Sequence, residues 1–276
     1  MESTTSRDGT TIAFDATGSG PTLVLVGGAL SERKAAAGLA AALAPHFRAV
    51  SYDRRGRGDS ADTQPYAVER ELEDLTAVIA ANGGEPAFVY GKSSGGALAL
   101  AGAAAGLPIR SLAILEPPFR AEGAPVLPAD YVETLRRLVV AGRSSEVLEY
   151  FMTVAVGLPA AAIEQSKQQP FWTAMETLSP TLIYDGLVLG DNRLPLATLA
   201  NVAIPALVID STGSAPWLRA TAAAIAAGMP NARHMSLDGG FHDVSPEILA
   251  PVLTEFFMDA TVSGSNNQQQ PTTSSS

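Results

Sequence analysis

Residues Pro86 to Leu100 read PAFVYGKSSGGALAL, in which Gly91, Ser93 and Gly95 stand in the spacing G-x-S-x-G. That spacing builds a turn from strand to helix that lifts a serine hydroxyl clear of the backbone, where it can act as a nucleophile. The turn is strained, so strand and helix approach only if the neighbours are small, and Gly96 adds room. The segment also contains GKSS, which resembles the end of a phosphate-binding loop with Lys92 on the phosphates. Such a loop needs a glycine five residues before Gly91, where this chain has Pro86. The apolar run AFVY also reaches Gly91 with no free length to wrap a phosphate. The nucleotide reading fails, and Ser93 stands as a nucleophile at the start of a helix whose dipole favours negative charge.

A serine nucleophile needs a base. The chain has 3 histidines, His46, His234 and His242. His46 precedes a strand and reads as a surface residue. His234 lies within the strand pattern ARHMSL and reads as a packed or edge histidine. His242 falls in the glycine-rich loop GGFHDVS after that strand, where it can lean over the strand ends. It also follows the serine, the chain order in which a strand–turn–helix elbow and its base occur. His242 is therefore the expected base. Scattered histidines and the absence of cysteine leave no metal-ligating cluster, disulfide or thiol nucleophile.

The elements that must position these residues alternate. TTIAFDATG and PTLVLVGGAL read as strands joined by GSGP, a hairpin-type connection. SERKAAAGLAAALAPHF reads as a helix, RAVSYD as a buried strand, and RRGRGDS as a charged loop braced by its own arginines and aspartates. YAVERELEDLTAVIAANGG repeats apolar residues at helical spacing and stops at Gly83 and Gly84. PAFVY, the helix after Ser93, and IRSLAILEPP follow. From Phe119 to about Ala200 only helical patterns occur, and then IPALVID, WLRATAAAIAAG, ARHMSL and PEILAPVLTEFFMDA resume the alternation. The expected organisation is a mostly parallel sheet with helices on both faces, formed by residues 1–118 and 201–260. A helical cap of residues 119–200 interrupts it. Residues 261–276 are polar and low in complexity, and read as a disordered tail.

Composition bounds the partners. A formal charge of −10 opposes nucleic acid, which needs clustered Lys and Arg. No run of eighteen apolar residues is present to span a membrane, and MESTTSRDGTT lacks the apolar stretch of a secretion signal. A cytoplasmic protein acting on a small molecule, monomeric or homodimeric, is expected.

LVLVGGAL, SYDRRGRGDS, VYGKSSGG, IPALVID and DGGFH together resemble the α/β-hydrolase superfamily, from about residue 9 to residue 260. The chain is similar to capped esterase and lactonase-like members, whose nearest relatives are haloalkane dehalogenases and epoxide hydrolases. Those two activities need an aspartate nucleophile, which Ser93 is not. The resemblance implies an acid on the loop after IPALVID, but Ser214 stands where that carboxylate belongs. Asp210, at the strand end, and Glu116, in AILEPPF, are the alternatives. Glu116 is favoured: some haloalkane dehalogenases take their acid from that strand end, and a carboxylate in an apolar segment needs a polar partner. The resemblance also assigns the backbone amides of Ala29 and Ser94 to an oxyanion hole, with Gly27-Gly28 replacing the usual His-Gly. Lys92 replaces the elbow's common histidine and has no role in this reading. Among the cap's Tyr150, Phe151, Met152, Phe171, Trp172, Met175 and Tyr184, most are expected to be cap core. Phe151, Trp172 and Tyr184 are the candidates to face substrate, together with Gly28. No cofactor or metal is implied. The expected activity is hydrolysis of an uncharged, fairly apolar ester or lactone. A non-hydrolytic enzyme on the same fold, cleaving carbon–carbon bonds or cyclising a metabolite, and a non-catalytic ligand-binding protein are the alternatives.

Overall fold

Four apolar runs without polar alternation become the buried centre of the sheet. A computed structural model of the chain describes residues 1–84 and 86–265. In chain order it contains β1 (Glu2–Thr5), β2 (Thr11–Thr17), β3 (Thr22–Val26), α1 (Ala37–Leu43), β4 (Arg48–Tyr52), α2 (Val68–Ala81), β5 (Ala87–Lys92), α3 (Ser94–Ala104) and β6 (Ile109–Leu115). Six helices follow: α4 (Tyr131–Val140), α5 (Ser144–Tyr150), α6 (Ala160–Lys167), α7 (Phe171–Leu178), α8 (Leu182–Leu189) and α9 (Leu196–Ala200). The chain closes with β7 (Ala206–Ser211), α10 (Pro216–Gly228), β8 (Ala232–Leu237) and α11 (Pro246–Ser265).

The strands form one sheet in the order β1-β2-β4-β3-β5-β6-β7-β8. The β1–β2 and β2–β4 pairs are antiparallel, and the remaining pairs are parallel. β2 and β3 are not a hairpin, because β4 lies between them and pairs with both. The glycines of GSGP reverse the chain, but the buried faces of β3 and β4 match each other as parallel neighbours. The polar N-terminus, which gave no strand signal, supplies the edge strand β1.

Alternate residues of the central strands feed opposite faces, as the strand period requires. Val24, Val89, Ile114 and Val208 join α2, α3 and α10 on one side. Leu25, Phe88, Leu115 and Ile209 join α1 and α11 on the other. Burial on both faces explains the continuous apolar runs. Each such side chain contributes about 1.5–3 kcal/mol on leaving water.

The helices between β6 and β7 enclose their own cluster, built on Tyr131, Leu135, Leu148, Trp172 and Leu182. α11 is described as far as Ser265, five residues past the expected end at 260. The rest of the expected tail, 266–276, lies outside the described residues. No described helix is long and apolar enough to cross a membrane.

Candidate active site

Ser93 sits between β5 and α3 at φ 58° and ψ −128°, a conformation that costs a non-glycine residue about 1–3 kcal/mol. Its amide donates to the Leu115 carbonyl at 2.8 Å, and its carbonyl accepts from Gly96 and Ala97 at 2.9 and 3.1 Å, so the turn is held from both sides. A Cβ on Gly95 would collide with the carbonyl oxygens of Val26 and Gly27, which is why the helix can start this close to β3. Gly28 is equally constrained: a Cβ there would lie 2.9 Å from the Ser93 Cβ.

His242 follows β8 at φ 54° and borders the same cavity as Ser93. Its Nδ1 lies 2.7 Å from Glu116 Oε2. Glu116, at the end of β6, has no solvent exposure and also adopts a positive φ, 45°. Its carboxylate accepts from the Ser211 amide at 2.8 Å and from Ser214 Oγ at 2.9 Å. Ser214 Oγ in turn accepts from the His242 amide at 2.8 Å. The hydroxyl that stands in place of the family's usual carboxylate therefore braces both Glu116 and His242. Among the described residues no hydrogen bond joins Ser93 Oγ to the imidazole; Nδ1 is held by Glu116, and Nε2 has no protein partner.

Asp210 is engaged elsewhere. It lies 2.6 Å from His234 Nε2 and accepts from Arg219 Nε and Ser236 Oγ, each at 2.8 Å. Burial works to raise its pKa, but these donors outweigh that and hold it below the usual carboxylate value. His234 is the edge histidine expected of β8, and His46 is exposed. Lys92 ion-pairs with Asp243 at 2.6 Å, tying the elbow to the residue after His242.

The amides of Ala29 and Ser94 make no hydrogen bond to protein acceptors among the described residues, and both residues line the cavity. The Gly28 carbonyl accepts from Arg57 Nη1 at 2.6 Å and from Ser31 Oγ at 2.7 Å. A trans peptide carries its N–H opposite its C=O, so clamping this oxygen turns the Ala29 N–H away from Arg57.

The arginine loop is not braced by its own acids. Arg54 grips Glu71 of α2 through Nε and Nη2, at 2.6 and 2.7 Å, and reaches Asp185 of α8 at 2.8 Å. Arg57 meets both oxygens of Asp185, at 2.9 and 3.0 Å, and Ser94 Oγ donates to the same carboxylate at 2.7 Å. Arg55 binds Asp74 and Asp8. Asp53 accepts from Arg33, outside the loop, and from the Asp59 amide within it. Asp53, Asp59 and Asp62 equal the three arginines in number, so the sequence carried no signal that their partners lie elsewhere.

The cavity has a free volume of ≈ 100 Å³, below the usual range of small-molecule sites. Leu127, Tyr131, Leu189, Trp217 and Phe241 form much of its wall, and Arg120 and Asn192 also border it. Phe151 and Val156, the ends of a π-helical turn, lie where this cavity meets a second one that is bordered by Gly28. Trp172 and Tyr184 do not line either cavity. The Trp172 indole N–H is shared by Ser145 and Glu176 inside the helical segment, and Tyr184 stacks on Tyr66 with centroids 3.9 Å apart. Helical spacing identified these rings as apolar payload but did not say which face of each helix meets the sheet. Among the described residues no group of His, Cys, Asp or Glu is arranged to hold a metal.

A strand–elbow–helix at the centre of a mostly parallel sheet, with an acid and a histidine delivered from later strand ends, defines the α/β-hydrolase class. The chain belongs to the alpha/beta hydrolase family, whose model matches residues 23–250. A pimeloyl-[acyl-carrier protein] methyl ester esterase of Xanthomonas campestris pv. campestris is 32% identical over 242 residues, covering 83% of this chain and 90% of that protein. The crystal structure of an alpha/beta hydrolase from Sphaerobacter thermophilus is similar with a TM-score of 0.88 and 51% identity, covering 93% of this chain and 100% of that one. An enol-lactonase from Burkholderia xenovorans shares the fold, with a TM-score of 0.66 at 20% identity over 95% of this chain and 100% of its own.

Proposed function

We propose that the protein is a serine hydrolase that cleaves a carboxylic ester or lactone through an acyl-enzyme. The observation that carries this reading is the 2.7 Å contact of His242 with buried Glu116 on the rim of the cavity that also holds Ser93. Ser93 Oγ attacks the carbonyl carbon while Nε2 of His242 takes its proton. The tetrahedral oxyanion is held by the amides of Ala29 and Ser94, each worth about 3 kcal/mol to the transition state. Collapse breaks the bond to the alkoxy oxygen, which leaves with the proton from His242. Water, deprotonated by the same imidazole, then releases the acid. Glu116 keeps Nδ1 protonated and stabilises the imidazolium. The separation of Ser93 Oγ and His242 in the free protein suits a bond that tightens when substrate arrives.

The methyl ester esterase relative supports an ester substrate, and the apolar wall suits a hydrocarbon acyl chain. The helical segment between β6 and β7 acts as the cap over the reacting carbonyl. A fluorophosphonate probe is expected to label the wild-type protein on Ser93 and to leave Ser93→Ala unlabelled. Equal labelling of the two proteins discards the assignment.

A further inference from the structure

Arg120 follows β6 by five residues and projects into the cavity that holds Ser93 and His242. Four ionisable side chains border that cavity, Arg120, Tyr131, Asp185 and His242, and burial keeps the Tyr131 phenol protonated by raising its pKa. Asp185 is neutralised by Arg54 and Arg57, and His242 is paired with Glu116. Of the other three, Arg120 alone has no partner of opposite charge. Its Nη2 donates to the Ala155 carbonyl at 2.8 Å, and its guanidinium lies 4.0 Å above the Trp217 ring. Its Nε is buried without a hydrogen-bond partner. Burial lowers its pKa below the ordinary arginine value, with only a slight opposing pull from Tyr131. Beside it, Asn192 carries a second orphan, a buried carboxamide oxygen without a partner, on a backbone held at φ 61°.

Leaving a buried donor unpaired is costly, and more so when the group is charged. A free acceptor in the chain's own lining of the cavity, the Asn192 carboxamide oxygen, makes no hydrogen bond to it. We propose that Arg120 is a specificity residue that receives a carboxylate carried by the substrate, so that the preferred substrates are half-esters or lactones with a free carboxylate at the far end of the acyl chain. A carboxylate fits this place better than a phosphate. It brings one negative charge to a single planar guanidinium that offers parallel N–H donors. The surrounding Pro118, Leu127, Leu189 and Trp217 offer no further cation for a dianion. Such a substrate is charged at one end, unlike the uncharged one that the cap's aromatic residues alone suggested. The inference rests on the proposed hydrolase reading for its chemistry but not for its binding.

Two substrate series separate the possibilities: monomethyl esters of linear dicarboxylic acids from succinate to suberate, and methyl esters of monocarboxylic acids of matching length. The wild-type protein is expected to show a kcat/KM on the order of 10–100-fold higher for the half-ester of best length. Arg120→Met is expected to collapse that ratio toward unity, and Arg120→Lys to restore part of it. A wild-type preference for the neutral series, or a ratio unchanged in Arg120→Met, overturns the proposal and leaves Arg120 as a strut between Ala155 and Trp217. If neither series is hydrolysed, calorimetric binding of the half-esters decides. Arg120-dependent binding then sustains the carboxylate site while the hydrolase reading falls, and binding that ignores Arg120 ends this inference too. Should Arg120→Met fail to fold, the Arg120→Lys ratio and wild-type competition by free dicarboxylates against monocarboxylates carry the same decision.

Discussion

Ser93, Glu116 and His242 share a property that no motif states: each is a non-glycine residue at positive φ, at 58°, 45° and 54°. Strain of this kind persists only where the surroundings enforce it, and it gathers at functional sites. For Glu116 the enforcing groups are visible, since the Ser211 amide, the Ser214 hydroxyl and the His242 ring all converge on one carboxylate. Replacing that carboxylate by an amide keeps the shape and removes the charge that opposes the imidazolium. Glu116→Gln is therefore expected to lower kcat on p-nitrophenyl acetate on the order of 10³–10⁴-fold. Ser214 lies within hydrogen-bond distance of both partners, so an acid introduced there can take over. The double variant Glu116→Gln/Ser214→Asp is expected to regain activity over Glu116→Gln alone. Ser214→Asp by itself sets two carboxylates against each other and lowers the melting temperature. Unaltered kcat in Glu116→Gln would remove Glu116 from the mechanism.

At the scale of elements, the loop after β4 links parts that are far apart in the chain. It joins α2 through Glu71, α3 through Ser94, α8 through Asp185 and the loop after β3 through the Gly28 carbonyl. Arg57 is the member that bears on the proposed chemistry, because its hold on that carbonyl orients the Ala29 amide. Arg57→Met is expected to reduce kcat by about 10–100-fold, less than deleting an oxyanion donor outright, with a smaller change in KM. A loss confined to KM would mean that the clamp does not act on the transition state. Legibility in the sequence divides along the same lines. That Ser93 and His242 meet at one cavity was readable, because each sits in a local pattern with a fixed chain order. Glu116 was readable as a charge in an apolar strand that requires a polar partner. The strand neighbours of β3 were not, since GSGP specifies a reversal and says nothing of a later strand inserting between its flanks. Trp172 and Tyr184 were misplaced because helical periodicity marks an apolar face without naming what covers it. Arg120 was invisible for a different reason: its significance lies in the partner it lacks, and only three dimensions show an absence.

Across the whole molecule, the helical segment and the sheet domain are joined by buried charge as well as by apolar contact. Arg54 and Arg57 face Glu71 and Asp185, so the cluster is neutral, and removing one member leaves an excess charge without water. Asp185→Ala is expected to lose about 3–5 kcal/mol of stability for that reason. The same cluster sets the response to acid. Burial works to raise the pKa of Glu71, but the Arg54 guanidinium outweighs it and holds the carboxyl below its usual value. Burial likewise opposes ionisation of Asp185, and Arg57 with Arg54 prevails. Asp74 runs the other way, since burial raises its pKa despite its bond to Arg55. A depressed carboxylate contributes stability above its unfolded pKa, and that contribution is lost as pH falls through the folded one. With Glu71 and Asp185 against Asp74, stability is expected to be level down to about pH 5 and to decline below about pH 4, where unfolded carboxylates take up protons. Urea unfolding midpoints measured from neutral pH downward test this. The Glu71→Gln/Asp185→Asn variant should start less stable and show a shallower acid slope. A wild-type midpoint that rises on acidification, or a slope the double variant leaves intact, would place the acid sensitivity outside the seam that joins the helical segment to the sheet.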